Sequence, residues 1–116
     1  MIFYHCTDRV WDWPHQLHLP RSRNDIPVIP VLFANSVPQS TYGNRAYGFE
    51  LSEDTVFLSM SNKVYSCMRE SPEYRAGAYD TARRLGVDAL FRTQTEGDTT
   101  LCVINFDRII NWSLTQ

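Results

Sequence analysis

His5 closes a short apolar run, Met-Ile-Phe-Tyr, and Cys6, Thr7 and Asp8 follow it at once. An imidazole titrates near neutral pH and can accept or donate a hydrogen bond. A hydroxyl and a carboxylate beside it add further polar groups. The stretch reads either as a binding site on a strand tip or as a polar end to a strand. His15 and His18 are three positions apart, a spacing that puts both on one helical face and could chelate a metal. No third ligand is evident nearby, although His5, Cys6, Asp8 or Asp12 could fold in, and a polar loop is the plainer reading. Glu96 and Asp98 flank Gly97 in a turn. A solvated loop acid is the default there, and general acid or electrostatic work is the alternative. Arg21, Arg23 and Arg45 carry forked donors that suit a phosphate. Arg45 follows Gly43-Asn44, a loop suited to approach one, while surface solubility accounts for the others. Trp11 and Trp13 flank Asp12 and could stack on a base or grip a partner; plugging the edge of a small core is the favoured reading. No Gly-x-Ser-x-Gly, phosphate loop or G-x-G-x-x-G is present, so a nucleophile elbow and a Rossmann dinucleotide site are excluded.

Positioning these groups requires strands at the start, middle and end of the chain. Residues 2–6 read as a short strand. Residues 7–25 form a long irregular loop, a type that is often functional. Residues 26–34 are apolar, but Pro27 and Pro30 cannot donate to a ladder, so an edge strand or extended segment is expected. Residues 46–51 read as a strand, 52–54 as a turn, and 55–60 as the clearest central strand. Ser61 and Asn62 can cap a helix over 62–69. Ser71-Pro72 starts another, with Glu73 near its positive end. Tyr74, Ala78, Ala82 and Leu85 give it an apolar stripe, and Gly86 ends it. Residues 87–92 and 99–105 read as strands joined across the polar turn Thr-Gln-Thr-Glu-Gly-Asp, and 109–114 as one more.

The chain has 116 residues, 43% of them apolar. That is enough for a core and argues against disorder. One α+β domain over 1–116 is expected. The formal net charge is −2 with no basic run, so no nucleic-acid partner is expected. Cys6, Cys67 and Cys102 are scattered and odd in number, which disfavours a disulfide framework or zinc ribbon. No secretory leader or membrane span is visible, and a cytoplasmic location is expected.

Three ordered stretches resemble the small ADP-ribosyltransferases of the diphtheria-toxin-like, His-Tyr-Glu type: "FYHCT", "TVFLSMSNKVY" and "LGVDALFRTQTEGDTTLCVINFDRIINWSL". Together they cover about half the chain. The resemblance implies two small, mostly antiparallel sheets flanking a cleft, with inserted helices, and NAD as the substrate bound there. It implies that His5, with Thr7 beside it, meets the nicotinamide ribose and that Tyr65, or else Tyr74, stacks on nicotinamide. Ser59 would orient the ribose, and Arg45 would pair with the pyrophosphate. Glu96, with Asp98 or Gln94 behind it, would polarise the ribose 2′-hydroxyl and stabilise the charge that develops as nicotinamide leaves. The implied activity is transfer of ADP-ribose to a protein acceptor, with water as an alternative acceptor; compact members of this type are often toxins or phage effectors. Cys6 stands where that pattern has glycine, which narrows the expected pocket. With the acid poorly marked, an inactive binding protein of the same fold is the alternative.

Overall fold

A computed structural model describes residues 1–8, 31–39, 43–94 and 97–115. Its strands are β1 (Phe3–Thr7), β2 (Leu32–Asn35), β3 (Arg45–Leu51), β4 (Phe57–Ser59), β5 (Ala89–Thr93), β6 (Thr99–Val103) and β7 (Ile109–Leu114). Helices α1 (Asn62–Glu70) and α2 (Pro72–Leu85) lie between β4 and β5. Hydrogen bonds link all the strands into one seven-stranded sheet in the order β4-β5-β6-β2-β1-β3-β7. Among the described residues only β4–β5 is parallel, and the helices supply the crossover that a parallel pair needs. The expected α+β character and antiparallel bias therefore hold. The expected pair of sheets is corrected to one sheet, continuous across β1 and β2.

The core follows from period-two alternation. Leu32 and Ala34 pair with Val103 and Leu101 on one face, while Phe33 pairs with Cys102 on the other. The first set joins Phe3, Tyr47 and Phe49. The second joins Met60, Met68, Ala82 and Leu90 beneath the helices. Phe49 and Met68 are fully buried, and each such side chain stabilises the fold by roughly 1.5–3 kcal/mol.

Helix boundaries match their local chemistry. The Ser61 hydroxyl accepts from Val64 N–H and the Ser71 hydroxyl from Tyr74 N–H. Pro72 sits in the first turn of α2, and Gly86 ends it in the left-handed region at φ 72°. Only part of the α2 stripe is core: Ala82 is buried, whereas Tyr74 and Leu85 are exposed.

Two strands depart from the sequence reading. Residues 55–60 yield only three ladder residues, at the sheet's edge, with Phe57 and Leu58 exposed. An apolar run marks a strand without marking its neighbours. Conversely, β2 is internal, between β6 and β1. Its paired residues begin at Leu32; Pro27 and Pro30 lie outside the described residues.

Candidate functional site

Strand β1 pairs with β3 along its whole length, from Phe3↔Phe49 to Thr7↔Arg45. Against β2 it pairs only at Tyr4↔Asn35. Beyond that point the two strands part. The His5 side chain reaches across to β2, and its Nδ1–H donates to the Phe33 carbonyl at 2.6 Å. A side chain thus satisfies a main-chain acceptor that the ladder leaves. Burial lowers the His5 pKa from its ordinary value; the Phe33 hydrogen bond opposes that shift and the Arg69 charge adds to it. The ring is therefore neutral at pH 7. With the proton held on Nδ1, Nε2 carries a lone pair and is an acceptor.

A cavity of about 140 Å³ opens where the strands part. His5, Cys6, Asn35, Tyr65 and Arg69 contribute to its wall. An apolar cavity of about 150 Å³ takes up one benzene ring, so this one suits a single six-membered ring. Tyr65 and Arg69 are four positions apart on α1, hence on one helical face. The Tyr65 ring meets Phe33 edge-on at 6.3 Å between centroids. The Arg69 guanidinium carbon lies 4.7 Å from the centre of the Phe33 ring. Cys6, buried at this wall, occupies space that a glycine would leave open.

The expected residues divide between three places. His5 and Tyr65 share the cavity, while Thr7 is buried two positions further along β1. Ser59 and Tyr74 do not join them. They line a separate open groove between β4 and the helices, which shares no wall residue with the His5 cavity. Arg45 also lies outside the cavity wall. Its Nη1 donates to the Asp8 carbonyl at 2.7 Å, and Asn44 N–H donates to the Asp8 carboxylate. Gly43 makes this crossing possible: at φ +152°, a Cβ there would stand 2.3 Å from the Thr7 carbonyl carbon.

Glu96, His15, His18, Trp11, Trp13, Arg21 and Arg23 lie outside the described residues. On either side of Glu96, Gln94 N–H bonds the Asp98 carbonyl, and Gly97 has φ 85°. Asp98 is engaged. Its carboxylate accepts from Asn35 Nδ2 at 3.1 Å, Ser36 Oγ at 2.9 Å and Val37 N–H at 3.3 Å. Because Asn35 lines the cavity, the hairpin end and the first strand meet at one site. Gln94 points its amide to the Thr100 hydroxyl.

Arg69, Asn35 and Phe33 were missing from the sequence reading. The step of four from Tyr65 was the available signal for Arg69. Nothing local marks Asn35, whose position follows from long-range pairing. Among the described residues no group of three or more His, Cys, Asp or Glu side chains is placed to hold a metal ion, and no helix is long and apolar enough to cross a membrane. No family model, curated protein or solved structure matches the chain.

Proposed function

We propose that the protein is an NAD-dependent mono-ADP-ribosyltransferase that modifies a protein acceptor, acting in the cytoplasm as a toxin-like or phage-type effector. The observation that carries the reading is the meeting of His5 and Tyr65 in one cavity of about 140 Å³, the size of one aromatic ring. In this reading the parting of β1 and β2 serves as the cleft that two sheets would otherwise flank. Nicotinamide enters it against Tyr65, and the ribose hydroxyl donates to His5 Nε2. The C1′–N bond breaks and its electron pair leaves with nicotinamide. The acceptor's nucleophile bonds to C1′ and loses its proton. The Glu96 carboxylate holds the ribose 2′-hydroxyl and offsets the positive charge that develops at C1′. Glu96 takes this role ahead of Asp98, whose oxygens already accept three hydrogen bonds.

One observation favours a second reading, a non-catalytic binder of the same fold: a side chain, Cys6, stands in the cavity wall at the position where the resembling pattern has glycine. Labelled NAD incubated with a host lysate separates the two. Label on protein supports the transferase, and released ADP-ribose makes it a hydrolase. Intact NAD without any thermal shift favours the binder.

A further inference from the structure

We infer that Arg69 and Arg92 form a diphosphate cradle at the mouth of the His5 cavity. Its ligand class, a nucleoside diphosphate or dinucleotide, rests on the NAD reading. The cavity holds about one ring, so the remainder of any dinucleotide must lie outside it, beside the residues at its rim. Arg69 is in that wall. Arg92, on β5, places its guanidinium carbon 3.8 Å from the centre of the Tyr65 ring. The two cations therefore sit on the two rings, Phe33 and Tyr65, that pack edge-to-face. Aromatic faces hold guanidinium planes flat while leaving N–H edges to point outward.

The surroundings of Arg92 carry the inference further. Its Nη1 donates to Asn62 Oδ1 and its Nη2 to Thr100 Oγ1, each at 3.3 Å. Both acceptors are neutral, so neither cancels its charge. Its Nε is buried with no hydrogen-bond partner. A charged donor left so is costly unless something meets it. The Thr100 hydroxyl is also approached by the amides of Asn35 and Gln94. Asn35 also donates to the Asp98 carboxylate, an acid close to this group. Arg75, whose guanidinium carbon is 6.0 Å from the Phe33 ring centre, adds positive charge but is turned to the main chain, bonding the Met68 and Arg69 carbonyls. Arg45, the sequence-based choice for the pyrophosphate, is tied to Asp8 instead.

Titration calorimetry with inorganic pyrophosphate, ADP-ribose, NAD and nicotinamide tests the cradle. The proteins are the wild type, R69Q, R92Q, R69K and R45Q. R69Q and R92Q are expected to weaken ADP-ribose at least tenfold while leaving nicotinamide within twofold. R69K, which keeps the charge but loses the fork, should fall between, and R45Q should match the wild type. ADP-ribose affinity within twofold of wild type in R69Q and R92Q overturns the cradle while leaving the NAD reading intact. Wild-type binding of ADP-ribose or pyrophosphate without NAD or nicotinamide, lost in R69Q and R92Q, supports the cradle and overturns the NAD reading. No binding of any probe to the wild type overturns both. If R69Q unfolds, R69K and R92Q carry the same comparison.

Discussion

His5 does two jobs that can be separated by substitution. Its Nδ1–H holds the Phe33 carbonyl, and its buried ring resists protonation. Between pH 6.5 and the lowered folded-state pKa, the unfolded chain binds a proton that the native chain does not. Stability is therefore full above about pH 6.5 and falls on acidification, by at most about 1.4 kcal/mol per pH unit. His5→Asn keeps a donor for Phe33 but cannot titrate. Urea midpoints at pH 7.5 and 5.5 should drop more for wild type than for this variant; equal drops would remove His5 as the cause. For catalysis, His5→Ala should weaken NAD binding. Glu96→Gln should spare binding and cut turnover at least about 100-fold. Full activity in Glu96→Gln would pass the role to Asp98, to be tested next.

The elements that carry the site are fastened by a few buried contacts. Asp88, just before β5, is the tightest knot. Its carboxylate accepts from Val56 N–H, Asn105 Nδ2 and Arg108 Nε, while its carbonyl accepts from Ile104 and Asn105 N–H. Burial pushes its pKa up, but the Val56, Asn105 and Arg108 contacts outweigh that and lower it. Arg108 also pairs with Asp54. Asp88→Ala leaves these donors stranded and should cost roughly 2–4 kcal/mol in chemical denaturation. Gly43→Ala must push back the Thr7 main chain and should displace the end of β1. The expected readout is a shifted His5 imidazole resonance together with a lower Tm. These knots explain what was legible in the sequence. Serine caps, Gly86, the β5–β6 turn and β7 act over a few residues, and their signals are local. The internal place of β2, the edge place of β4 and the role of Asn35 depend on partners tens of residues away. The histidine was visible as a strand tip, and its hold on Phe33 was not.

At the scale of the whole molecule, the sheet wraps one face around Phe49 and the other around Met68, within extents of 33 × 32 × 26 Å. A ligand that binds only this folded arrangement must raise its stability. NAD at 100 times its dissociation constant should add about 2.7 kcal/mol, read as a rise in Tm. Stabilisation by zinc alone would instead point to His15 and His18. The single Tyr4↔Asn35 pair has its own consequence for motion. Four strands of the order meet three through one rung and one imidazole. Amide hydrogens beside that seam should exchange with deuterium before those of β5 and β6, whose ladder runs the length of both strands. A molecule lodged in the gap would act as a wedge bridging both halves, so the slowing of exchange should be concentrated along this one line.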